Sequence, residues 1–201
     1  MTFRQAARIP RRKAKASTEI QDFSLTLRLD EAGWFEARIV ITGTDYDFTI
    51  SYLSEPLRDL LSTVLDLHSY YEGRYYTGDE PRFHLIWQGE PWRYSWLFEP
   101  QPDEVLRVTL TFCPDHMGEQ REPEQVRFVA HLSFRELARQ TYEQGRTILR
   151  DFGFLGYRDE WISSDYPISD FLRLHYALAG EPPHRRSLAT ELKFLTGLLD
   201  G

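Results

Sequence analysis

From Phe23 onward the chain alternates. Phe23, Leu25, Leu27 and Leu29 fall on one side of an extended segment, and Ser24, Thr26 and Arg28 fall on the other. This period of two marks a half-buried strand. After the turn residues "DEAG" (30–33) the alternation resumes at Phe35, Ala37, Ile39 and Ile41. After "TGTD" (42–45) it returns at Tyr46, Phe48, Ile50 and Tyr52. Three short strands joined by tight polar turns predict an antiparallel meander with one wet face. The period then switches: Leu57, Leu60, Leu61, Val64, Leu65 and His68 recur at three- and four-residue steps. With Ser54 as N-cap and Pro56 in the first turn, this predicts an amphipathic helix ending near Gly73.

The second half repeats the scheme. Residues 83–88 and 92–99 flank "GEP" (89–91), which reads as a hairpin turn. Leu106, Val108, Leu110 and Phe112 make a further alternating run, as do Val126, Phe128, Ala130 and Leu132, with the polar loop 113–125 between them. Ser133 and Glu136 have the spacing of a capping box. The helix that they open uses Leu137, Thr141, Ile148, Leu149 and Phe152 and is expected to stop before "GFLG" (153–156). Two more helices are expected, one from Pro167 to Leu178 capped by Ser164 or Asp165, and one from Ser187 carrying Leu188, Leu192, Leu195, Leu198 and Leu199. The junctions "LSEPLRDL" (53–60) and "LSFRELAR" (132–139) occupy equivalent places, which suggests a structural pseudo-repeat. The expected fold is α+β: an antiparallel six- to seven-stranded sheet in two meander groups, each followed by a helix, plus two C-terminal helices. Residues 19–201 are read as one domain, since helices this rich in leucine must dock on the sheet.

Composition adds an asymmetry. The 201 residues carry a net charge of −7, from 24 basic and 31 acidic side chains. Six of the basic ones, Arg4, Arg8, Arg11, Arg12, Lys13 and Lys15, precede the first acid, Glu19. The rest therefore holds 24 − 6 = 18 basic against 31 acidic residues, a net of −13. Residues 1–18 are read as a flexible basic arm, the one place where nucleic acid could be held. The acidic body attracts basic partners. No apolar run is long enough for a membrane span, no signal-type apolar stretch follows the early charges, and the single cysteine, Cys113, suits a reducing compartment. A cytoplasmic protein is expected.

Candidate chemistry is sparse. Trp92, Tyr94, Trp96 and Phe98 occupy alternate positions of "WRYSWLF" (92–98), either as a stacking platform or as the inner face of a strand. Burying each ring is worth roughly 2–3 kcal/mol, which favours the core. Opposite the apolar alternation, Arg28, Arg38, Arg93, Arg107 and Arg127 share a face with Glu36, Asp47 and Glu99, as ordinary ion pairs or as an anion-gripping surface. Cys113 and His116 in "CPDHM" (113–117) lack the further ligands of a zinc site, and no metal or cofactor is expected. Nucleotide-binding glycine motifs, GxSxG and HExxH are absent, so no catalytic residue is assigned. The remaining signal lies in two segments that mix rings with acids, "YYEGRYYTGDE" (70–80) and "YRDEWISSDY" (157–166). Tyr70, Tyr71, Tyr75, Tyr76, Asp79, Glu80, Asp159, Glu160, Trp161 and Asp165 are the candidate partner-binding residues. The competing reading has Tyr70, Tyr71 and Trp161 anchoring their segments to the core.

"YLSEPLRDLL" (52–61), directly after three strands, resembles a segment of small uncharacterised bacterial α+β proteins, a group that includes immunity proteins of toxin systems. The resemblance covers the strand–helix junction and carries no catalytic residue. With the acidic body, the lack of catalytic motifs and the two ring- and acid-bearing segments, it leads to the expectation of a cytoplasmic inhibitor or immunity protein that occludes a basic toxin domain through an acidic, aromatic-rich surface. The alternative is an enzyme or small-ligand binder that uses the concave face of the sheet.

Overall fold

The computed structural model describes residues 19–30, 32–74, 81–118, 123–181 and 187–198. The basic arm, Tyr75, Tyr76, Asp79 and Glu80 lie outside them. The fold is α+β, with seven strands and four α-helices among the described residues. Strands β1 (Phe23–Asp30), β2 (Trp34–Ile41) and β3 (Thr44–Ser51) form one antiparallel meander, followed by α1 (Pro56–Tyr71). Strands β4 (Phe83–Gln88), β5 (Arg93–Gln101), β6 (Val105–Cys113) and β7 (Gln125–Ser133) form a second, followed by α2 (Phe134–Trp161). Helices α3 (Ile168–Leu178) and α4 (Leu188–Gly197) complete the described chain. The two meander groups are separate ladders.

The buried faces of both sheets share one core. Phe48 of β3 packs against Trp87, Tyr94 and Trp96 of the second sheet, with ring centroids 6.1, 5.0 and 5.4 Å away. The inner face of β5 is therefore covered by the other sheet, together with Leu60 of α1 and Leu137 of α2. Trp96 and Phe98 are buried, whereas Trp92 and Tyr94 are half-buried. Trp92 lies over Gly89, where a Cβ would stand 1.9 Å from its indole nitrogen, and it donates to the Thr49 carbonyl at 2.8 Å. The void beside Trp96 and Leu60 is about 10 Å³, about enough for one water, so the centre of the core is filled.

α2 also solves an edge problem. The outer edge of β1 would present unpaired backbone groups. Gln144 Oε1 accepts from the Leu27 N–H at 2.9 Å, Gln140 Oε1 accepts from the Leu25 N–H, and Gln140 Nε2 donates to the Phe23 carbonyl. Two helix glutamines one turn apart thus stand in for a missing strand. The C-terminal helices stack on the helical layer, α3 against α1 and α2 and α4 on α3 through Phe194. The outer face of the second sheet stays open, with Ile86 exposed.

Three helix boundaries differ from expectation. Glu55, rather than Ser54, is the N-cap residue of α1, and Ser54 Oγ accepts from the Gln88 N–H at 3.0 Å instead. α3 starts one residue later, behind Pro167. α2 does not stop at "GFLG": it turns at Gly153 (φ 63°) and runs on to Trp161. Gly153 and Gly156 read as a stop because glycine is a poor helix former, yet burial of Tyr157 and Trp161, one turn apart, holds the extra segment helical. Ser133 caps α2 as expected and accepts from the Glu136 N–H.

Candidate functional site

Segment 157–166 packs against the N-terminal end of α1, and Tyr70 and Tyr71 stand at its C-terminal end. A 16-residue helix separates them by about 24 Å, so Tyr70 and Tyr71 do not share a surface with segment 157–166. At the C-terminal end the tyrosines are anchors. The Tyr71 hydroxyl donates to the Val105 carbonyl at 2.8 Å and its ring lies 4.9 Å from Phe134. Burial pushes its pKa up. Tyr70 packs on Phe83.

Beside Tyr71 lies an open groove of about 670 Å³ between the ends of α1 and α3 and the first turns of α2, lined by Phe134, Tyr142, His68 and His175. Its two arginines are engaged, Arg135 with Glu104 and Arg139 with Glu136. Burial lowers both imidazoles below their usual value of 6.5. A depressed folded-state pKa means the fold prefers neutral histidine. That stability is complete above about pH 6.5 and is lost as pH falls through the folded values. Urea unfolding at about pH 7.5 and about pH 5.5 should therefore show a larger drop for the wild type than for His68→Gln/His175→Gln; equal drops refute it.

The N-terminal end is built differently. Trp161 is 0% exposed and its ring meets Phe35 edge-on at 4.9 Å. It therefore belongs to the interior, the anchoring place that the competing reading of the sequence gave it. Its indole N–H donates to Glu55 Oε2 at 2.9 Å, and the Ser163 and Ser164 hydroxyls donate to the same carboxylate. One acid from the "LSEP" junction thus clamps "WISS" (161–164) across more than a hundred residues of sequence. A second tie crosses to the β1–β2 turn, where the Gly33 N–H donates to the Glu160 carbonyl at 2.8 Å. Arg58 donates to the Asp165 carbonyl at 3.3 Å.

What this clamp holds is Ile162. It ends the helix with φ 47° and is 52% exposed. A left-handed backbone is costly for any β-branched residue and usual only for glycine. Gly33, itself at φ 81°, leaves room for it: a Cβ there would sit 3.1 Å from Ile162 Cδ1 and 3.4 Å from Tyr52 Cβ. Tyr52 and its neighbour Leu53 are exposed as well. Asp159 and Asp165 are exposed beside this apolar surface and Glu160 is partly so. Sequence reasoning found the acids but missed Ile162, Tyr52, Leu53 and Glu55. The available signal was two serines directly after a tryptophan and an isoleucine.

The other candidates are structural. Arg28 pairs with Glu36, Arg38 with Asp47 at 2.6 Å, Arg107 with Glu99 and Arg93 with Glu124. Cys113 is buried, and His116 Nδ1 lies 2.7 Å from the Pro91 carbonyl. Among the described residues no group of three or more His, Cys, Asp or Glu is placed to hold a metal ion, and no helix is long and apolar enough to cross a membrane. No protein-family model matches the chain, and comparison with curated proteins and with solved structures finds no match.

Proposed function

We propose that this chain is a protein-binding module whose docking surface is the clamped turn at the N-terminal end of α1. Ile162, Tyr52 and Leu53 form the apolar contact, and Asp159, Glu160 and Asp165, the last beside Arg158 at 3.9 Å, form the acidic rim. The observation that carries this reading is Ile162: a β-branched residue at φ 47°, half exposed, held there by the Glu55 clamp and the Gly33 tie. Such backbone costs of order 1–3 kcal/mol and persists where surrounding structure over-determines it, typically at functional sites. A turn rigid before binding also loses little entropy on docking. The acidic body supports a basic partner, drawn by long-range attraction. An inhibitor or immunity protein that covers a basic toxin domain is the function class that fits this surface and the resemblance of "YLSEPLRDLL" (52–61).

Ile162→Gly separates function from stability. Glycine relieves the left-handed strain, so urea unfolding should show the fold unchanged or stabilised by about 1 kcal/mol. Immobilised wild type should capture one stoichiometric basic partner from the native host, with capture weakened by salt. Ile162→Gly and Ile162→Asp should lose it while remaining folded. Equal capture by wild type and Ile162→Asp overturns the reading.

A further inference from the structure

The two sheets part at the end of the molecule away from Ile162, and their rings line a small cleft there. Tyr46 and Phe48 come from β3, Tyr94 from β5 and Phe112 from β6, around a volume of about 60 Å³. Asp47 of β3 and Arg127 of β7, both exposed, stand at its rim. Phe48 and Tyr94 meet at 86° with centroids 5.0 Å apart, which makes a corner. Tyr94 and Phe112 continue it at 5.2 Å and 31°. The Arg127 guanidinium carbon lies 5.6 Å from the centre of the Phe112 ring.

We propose that this cleft is a cation site that takes an alkylammonium or methylated ammonium head, and that Arg127 is its resident plug. Aromatic faces carry negative potential, and several rings converging on one point are the arrangement that recognises such heads. The volume is about four to five times what a single water needs, which suits an ammonium bearing methyl groups. Asp47 is itself paired with Arg38 at 2.6 Å, so the rings carry the preference for a cation and the carboxylate only balances the arginine charge at the rim. The position of Arg127 shows that Phe112 draws a positive charge already within the chain. A ligand must displace that guanidinium or share the cleft with it, so the plug sets the affinity. The head belongs either to a lysine side chain of a protein or to a free small quaternary ammonium compound. The cleft lies roughly 20 Å along β3 from Tyr52 and does not depend on the docking surface proposed above.

The test uses the full chain, followed by NMR at the ring protons of Tyr46, Tyr94 and Phe112. The probes are tetramethylammonium, an acetylated and amidated peptide containing trimethyllysine, and acetate as the anionic control. Wild type should give saturable shifts with both cations and none with acetate. Arg127→Ala should bind tetramethylammonium roughly tenfold more tightly, because a competing and repelling charge is gone. Asp47→Asn should weaken binding about threefold, and Phe112→Leu added to Arg127→Ala should cancel most of the gain. Arg127→Gln serves as the second unplugged variant, and amide spectra unchanged outside the cleft show that each variant is folded. A peptide bound more than about tenfold tighter than tetramethylammonium points to a protein side chain, and equal affinities point to the free compound. If the unplugged variants bind no more tightly than wild type, or the ring shifts do not saturate, the proposal is overturned.

Discussion

Trp96→Ala should lower the stability of the fold by about 3–5 kcal/mol. Trp96 is 4% exposed and lies where the two sheets meet. Its ring centroid is 5.2 Å from Trp87, 5.4 Å from Phe48 and 5.8 Å from Phe128. Truncation leaves a void between three rings anchored on different strands, none of which can collapse inward without pulling its ladder along. Close-packed interiors relax only partly around such a loss. Among the described residues the Trp96 indole N–H has no hydrogen-bond partner, so nothing polar is orphaned and the cost is one of packing. Trp96→Phe should therefore cost no more than about 1.5 kcal/mol, since it keeps most of the ring and removes a buried donor. Urea unfolding of the three proteins with a common m-value checks both figures. A Trp96→Ala loss below about 1 kcal/mol would mean that the interior at this point is loosely packed.

That tryptophan also marks how far local pattern reaches. The alternation at Leu25, Leu27 and Leu29, at Phe35 to Ile41 and at Leu106 to Phe112 was legible because a strand with one buried face writes its burial into a period of two. The three- and four-step pattern of α1 was legible for the corresponding reason. Pairing between the meander groups was not, because Phe48 against Trp96 is a contact between sheets and leaves no periodic trace. The end of α2 misled for a related cause. Gly153 and Gly156 carry a local stop signal, and only the tertiary burial of Tyr157 and Trp161 overrides it. The binding surface was half legible. Asp159, Glu160 and Asp165 announce themselves as acids near rings, but the exposure of Ile162 depends on Glu55, 106 residues from Trp161, and on Gly33 across the fold. Such an arrangement has no spacing to detect.

The Glu55 carboxylate makes three of the hydrogen bonds that hold that surface, so Glu55→Ala should lower stability by about 3 kcal/mol and weaken partner binding by roughly tenfold. The Glu55 oxygens accept from the Trp161 indole, from Ser163 and from Ser164. Hydrogen bonds to a charged acceptor are worth more than neutral ones, and the loss of this one leaves the indole of a fully buried tryptophan without its acceptor. Glu55→Gln should cost about half as much. Its amide keeps one acceptor but turns a donor toward groups that are themselves donors. Both substitutions leave Ile162 chemically intact but remove one negative charge, so the part of the affinity loss that persists at high salt comes from the turn relaxing out of its left-handed geometry. Amide hydrogen exchange should then quicken at Ile162 and Ser164 while the amides of β6 stay protected. Ile162→Gly in the Glu55→Gln background completes the argument. If the clamp exists to hold a strained turn, glycine should recover part of the lost stability and none of the binding. If the clamp only fastens α2 to α1, glycine should recover neither.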